Sequence, residues 1–181
     1  AVRIVAVTIV DLANLCVFVA AAAVGMTGTE GPGDVEDMTA IIAVKEAAAR
    51  LLGITPHGLT PIPAAVAVPA AYTGFGSGRP VAAADVDLVA RVVGGRPPML
   101  HKAYPGTVAA CTAVAACIPG STVAEVVRRG SGLFRIGHTS GGKTGPSQPP
   151  KKSGTMSAEM SVIPIYSPTK NIPNLIPEYS E

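Results

Sequence analysis

Thr107–Cys117 reads TVAACTAVAAC, and the reading of this run decides the fold. It carries no charge, and its only polar groups are Thr107, Thr112 and two thiols. Its length and alanine content make it helical. A helix that is apolar all round is either a membrane span or a core element enclosed by other structure. At about 1.5 Å per residue the run is far too short for a hydrocarbon core of roughly 30 Å. The expectation is therefore a helix inside a curled sheet, with small alanines letting strands approach closely. Tyr104-Pro105-Gly106 leads into it and Ile118-Pro119-Gly120 closes it.

Outward from this helix the chain supplies strands. Val2–Val10 and Cys16–Ala22 are rich in β-branched residues and flank a turn at Asp11–Asn14. That turn also argues against a leader peptide or membrane span over the first stretch. A carboxylate at mid-bilayer costs about 2.5–3.5 kcal/mol. Gly25–Gly33 is loop, and Asp34–Leu52 is predicted helical, with a face of Met38, Ile41, Ile42, Ala48, Leu51 and Leu52. Glu46–Arg50 is a favourable i,i+4 pair, and Gly53 with Pro56 supplies the stop. Ala64–Val68 reads as a strand, Thr73–Gly78 (TGFGSG) as a turn and Ala84–Val93 as a second helix. Met99–Ala103 and Leu133–His138 read as strands. From residue 143 onward, KTGPSQPPKKSGTMS and the proline-dotted end lack periodicity and cannot offset their ordering entropy by burial. The organisation expected is a folded unit over 1–142 and a mostly disordered tail over 143–181.

Composition narrows the function classes. The 181 residues are 48% hydrophobic but only 4% aromatic, without tryptophan, so the core must be built from Ala, Val, Ile and Leu. A formal charge of +2, with no basic stripe and no interleaved aromatics, makes nucleic acid a poor partner. No membrane partner is expected. Cys16, Cys111 and Cys117 show no metal-type spacing, which suits a reducing, cytoplasmic compartment without disulfides. Neither a metal nor a cofactor is expected. TGFGSG lacks the lysine and the strand-to-helix setting of a phosphate loop, and no HExxH, CxxC or nucleophile elbow is present.

Three segments carry candidate chemistry. The first is the start of the apolar helix, where Gly106, Thr107 and Val108 present free amides and a partial positive charge suited to a carboxylate. His101 and Lys102 lie just upstream. The plainer reading is an ordinary helix capped by Thr107. The second is His138-Thr139-Ser140-Gly141-Gly142, a polar turn after an apolar strand, whose plainer reading is a strand exit. The third is the Asp11–Asn14 turn, in which Asn14 either faces a ligand or makes local Asx bonds. Cys111 lies a full turn into the apolar helix, away from anything that would activate a thiol, and is read as packing. His57 has no evident partner.

Taken in order, VDLANLCVFV (10–19), GMTGTE (25–30), IIAVKEAAARLLGI (41–54), GRPVAAADVDLVARVV (78–93), HKAYPGTVAACTAVAACIPGS (101–121) and FRIGHTSGG (134–142) resemble the 2-methylaconitate isomerase (PrpF-type) family, relatives of diaminopimelate epimerase. The resemblance covers the family's second half. It implies an α+β fold: a diaminopimelate epimerase-like half, with a curled mixed β-sheet wrapped around a central apolar helix, left incomplete and followed by the disordered tail. It also implies cofactor-independent proton transfer on aconitate-like di- and tricarboxylates, with methylitaconate- and oxalomesaconate-type acids among the relatives' substrates. The substrate-binding positions it assigns are Asn14, His101, Lys102, Gly106, Thr107, Val108, His138, Thr139, Ser140 and Gly141.

The same resemblance places the principal acid/base lysine and cysteine in the family's first half, so no catalytic residue is assigned here. The chain departs from the family in two motifs, with Leu15 after Asn14 and Thr139 after His138, where the family carries proline at both places. Three readings follow: a fragment inactive alone; an enzyme completed by a second copy or by a first-half domain; or a non-catalytic relic or small-carboxylate-binding module.

Overall fold

The computed structural model describes residues 4–128 and 135–141. Strands β1 (Val7–Asp11) and β2 (Leu15–Ala20) form an antiparallel hairpin around the Leu12–Asn14 turn. The chain then crosses through helix α1 (Thr39–Leu51) to β3 (Ile62–Ala67), which runs parallel to β2. A small hairpin, β4 (Tyr72–Thr73) and β5 (Pro80–Val81), precedes β6 (Leu88–Gly94), which pairs antiparallel with β3. The far edge of β6 is shared by β7 (Met99–Leu100) at one end and β8 (Ile136–Gly137) at the other. Helices α2 (Gly106–Cys117) and α3 (Thr122–Val126) lie between β7 and β8 in the chain. The fold is α+β with a mixed, mostly antiparallel sheet.

Both faces of the sheet are covered, which is why its central strands read as continuous apolar runs. On the front face Cys16, Phe18, Ile62, Ala64, Val66, Leu88, Ala90 and Val92 pack against Val108, Cys111 and Ala115 of α2 and Val123 of α3. On the back face Val19, Ala65, Val93 and Leu100 pack against Ile41 of α1. Burial of each large side chain such as Phe18 or Leu88 contributes about 1.5–3 kcal/mol. The Gly25–Gly33 loop also presses on the back face. A Cβ at Gly28 would stand 3.0 Å from Val89 Cγ2 and 3.1 Å from Ala67 Cβ, and its φ of +85° favours glycine as well.

Most elements lie where their patterns place them, and the differences have local causes. Helix α1 starts at Thr39 rather than Asp34, because the acidic side chains there serve the loop. Asp34 accepts from the Gly31 amide and Asp37 from the Thr39 amide. Its end is as expected: Gly53 at φ +68° follows the last turn, and the Gly53 and Ile54 amides reach back to the Arg50 and Ala49 carbonyls. Ala84–Val93 is the clear misreading. It is a 3-10 turn (Ala83–Asp85) followed by β6, because Leu88-Val89-Ala90-Arg91-Val92-Val93 is a central strand enclosed on both faces. Without alternation, such a strand has no period to separate it from a helix.

Helix α2 packs on the sheet through one stripe, Val108, Cys111, Thr112 and Ala115, all buried. Its other flank, Ala109, Ala110, Ala113, Val114 and Ala116, is half-buried, and Cys117 is exposed. Cover is therefore greatest on the sheet side. Among the described residues no helix is long and apolar enough to cross a membrane. The tail over 143–181 lies outside the described residues.

Candidate functional site

Helix α2 begins one residue earlier than its composition suggests, with Pro105 in extended conformation at its N-cap and no side chain capping it. Proline fixes its own φ near the value required and donates no hydrogen bond. Gly106 and Thr107 are exposed, and a Cβ built on Gly106 would meet nothing within 4 Å. The first-turn amides of Gly106 and Thr107 thus lie at an exposed, positive end of the helix, whereas Val108 is fully buried behind them.

Two polar segments converge on this terminus. The β1–β2 turn brings Asn14, whose Nδ2 donates to Thr107 Oγ1 at 2.5 Å, while the Cys111 thiol donates to the Asn14 carbonyl at 3.2 Å. The second segment arrives through Tyr104, two residues before the helix. Its ring centroid stands 6.2 Å from that of His138. Thr112 Oγ1 donates to the Val108 carbonyl at 2.7 Å, so the 2.8 Å contact between the two hydroxyls must have Tyr104 as donor. Ser140 Oγ lies 3.2 Å from His138 Nδ1. The turn is closed by the Gly141 amide donating to the His138 carbonyl at 3.0 Å. Thr139, buried, offers its carbonyl to the Phe75 amide at 2.8 Å.

The structure thus joins Asn14 to Thr107 at the helix start and Ser140 to His138 in the other turn. It links the two through Tyr104, which stands near His138 and bonds to Thr112 of α2; Thr139 and Gly141 hold the His138 turn. Among the described residues, His101 and Lys102 make no side-chain hydrogen bond, ion pair or ring contact with these positions. His101 lies over Gly94, where a Cβ would stand 2.7 Å from its Nε2 and 2.6 Å from Leu59 Cδ2, and Lys102 is exposed. Tyr104 was not expected from sequence at all. Its only signal is an aromatic beside the helix entry in a chain poor in aromatics.

Protonation states follow from burial. Burial, with the Arg91 charge adding to it, holds the His138 imidazole below its ordinary range, so the ring is neutral at pH 7. Burial pushes the Tyr104 phenol up against the opposing hydrogen bond to Thr112. The Cys16 thiol is likewise pushed up by burial and then by neighbouring Cys111. Tyr104 and Cys16 are therefore locked in their protonated forms. The site offers amides and hydroxyls to an anion, and one neutral imidazole able to accept or pass a proton. Among the described residues no group of three or more His, Cys, Asp or Glu side chains is placed to hold a metal ion.

Residues 2–163 match the family model described as PrpF protein. The chain is 38% identical over 149 residues to a 3-methylitaconate isomerase of Eubacterium barkeri, covering 75% of this chain and 39% of that protein. It is 34% identical over 147 residues to a 2-methyl-aconitate isomerase of Shewanella oneidensis, covering 74% of this chain and 36% of the relative. The crystal structure of a methylitaconate-delta-isomerase superposes with a TM-score of 0.68 at 35% identity, over 75% of this chain and 38% of that one. The chain thus spans less than two fifths of the length of these relatives. With its fold, element order and residues 2–163 all matching, this chain belongs to the PrpF family.

Proposed function

We infer that this chain supplies one carboxylate-binding wall of a cofactor-independent isomerase that moves a proton, and with it a C=C bond, on aconitate-like di- or tricarboxylates. The observation that carries the reading is the uncapped, exposed start of α2, with Asn14 bonded to Thr107 there and His138 linked to the helix through Tyr104. The relatives named as methylitaconate and methylaconitate isomerases support the substrate class. In such a reaction a base removes an allylic proton, an acid returns one elsewhere, and N–H donors hold the charge of the dienolate. The exposed Gly106 and Thr107 amides are suited to that last role.

The proton-moving pair is not assigned to this wall. Cys111 is buried with its thiol committed to the Asn14 carbonyl, Tyr104 is locked protonated, and among the described residues Lys102 makes no side-chain bond with these positions. The chain alone is therefore a carboxylate binder without turnover, and the reaction needs a second wall, from a first-half domain or another copy. Its thiols, without a disulfide among them, suit a reducing cytoplasm.

Two measurements test this. In the first, tricarballylate, a saturated tricarboxylate, is titrated into the labelled chain. The Gly106 and Thr107 amide signals should shift, more than those of α1. In the second, the purified chain is assayed with cis- and trans-aconitate and methylaconitate, where background rates are expected. Silent α2 amides would remove the carboxylate wall, and clear turnover would remove the need for a second one.

A further inference from the structure

Arg91 is the largest fully buried side chain, at 1% exposure in the middle of β6. It points to the back face from opposite Ala65, whose small side chain leaves it room. Among the described residues no carboxylate lies within ion-pair distance of it. Glu30 and Asp34 bear on it only from longer range, Glu30 turning its carboxylate onto Thr27 and the Gly28 amide. A buried guanidinium without a counter-charge is costly, and this one is held by carbonyls. Nε donates to the Glu30 carbonyl at 2.5 Å, and Nη1 to the Ala90 carbonyl at 2.9 Å and the Gly137 carbonyl at 3.3 Å. The guanidinium carbon lies 4.9 Å from the Tyr72 ring centroid, a cation–π contact.

The Gly137 carbonyl is the consequential partner. Strand β8 has two residues, and His138 follows it directly. Gly137 is pressed into the sheet so closely that a Cβ would stand 3.0 Å from Val89 Cγ1 and 3.1 Å from both Tyr72 Cε1 and Val86 Cγ1. We propose that Arg91 is a positioning residue for His138: Nη1, bridging the Ala90 and Gly137 carbonyls from the back face, fixes the short strand and turn that present the imidazole on the front. This rests on the reading that His138 faces substrate. The groups bearing on the imidazole are Tyr104 from the segment before α2, Ser140 from its own turn and Arg91 from β6. At the opposite end of β8, Asp87 is engaged by Arg128 and Arg135.

The test compares the full wild-type chain with Arg91→Lys and Arg91→Met, reading His138 imidazole titration, exchange of the Phe75 and Gly141 amides, and thermal unfolding. Both amides hydrogen-bond to carbonyls of the His138–Thr139 turn. In Arg91→Met both should exchange about tenfold faster relative to β3, and His138 should titrate higher. Arg91→Lys keeps the charge but loses the planar fork, so exchange should rise with a smaller change in titration. If Arg91→Met does not fold, exchange in Arg91→Lys decides. Unchanged exchange in a folded variant overturns the proposal, even if the titration moves, because Arg91 would then act only as a distant charge. Collapse of both variants overturns it too, by making the arginine a global packing residue. Tricarballylate is titrated in parallel. Silent α2 amides beside a disturbed His138 turn would sink the carboxylate reading and leave this one standing.

Discussion

At the scale of single residues, the strongest bonds join positions far apart in the chain. Asp87, buried at the start of β6, accepts from the Arg135 amide at 2.7 Å and from its guanidinium at 3.2 Å, and pairs with Arg128 at 3.8 Å. Burial works to raise this carboxyl, but the Arg135 hydrogen bonds and the two cationic charges outweigh it and hold it below the usual range. A carboxyl depressed in the folded state binds fewer protons than in the unfolded chain. Its contribution is complete above an unfolded value of about 3.9 and is lost as pH falls through the lower folded value. Asp87→Asn should cost about 2 kcal/mol at pH 7, the loss of charge-assisted hydrogen bonds, and should flatten the acid limb of stability. Urea unfolding across that range checks both. None of this was legible in sequence, where Asp87 and Arg135 stand 48 positions apart with β6, β7, α2 and α3 between them. Asn14, Thr107 and His138 stood out in the sequence as polar residues bounding apolar runs, but the bond from Asn14 to Thr107 did not. Arg91 did not stand out either, since a strand read as a helix gave its arginine a solvent face.

At the scale of elements, short pieces are held by their ends. Helix α3 has only five residues, and Ser121 does two things for it. Its Oγ accepts from the Ala124 amide at 3.0 Å and donates to the Ala115 carbonyl of α2 at 2.5 Å. The α3 start is tied to β1 as well, through the Thr122 amide donating to Thr8 Oγ1 at 2.9 Å. Replacing Ser121 by alanine should therefore destabilise by about 1–2 kcal/mol, the range for a lost N-cap. Thermal unfolding should show the fall, with a denaturant slope like the wild type's because the same surface is exposed on unfolding. The stop of α1 was readable as punctuation at Gly53, but the start of α2 was not, since the sequence offered Thr107 as its cap and the structure has Pro105 there. The state of Ala84–Val93 was not readable either, because local propensity is weak beside enclosure between two layers.

At the scale of the whole molecule, β3 and β6 are flanked by strands on both sides and covered on both faces, whereas β1 forms an edge. Amide exchange should be slowest at Ala64–Val66 and Ala90–Val92, and faster in β1 and α1. Uniform protection across the sheet would contradict this layering. What the sequence by itself determined was most of the inventory, β6 excepted: an apolar helix too short for a membrane, apolar strands around it, and polar turns at their ends. Chain chemistry alone fixes those, because hydrophobic runs and turn residues act on their neighbours. Only the tertiary structure decided which turns meet. Asn14 reaches Thr107 because β2 and α2 pack face to face, and His138 reaches Tyr104 because β8 closes on the far edge of β6. Such meetings depend on strand order and on which face a side chain takes, and a linear pattern records neither.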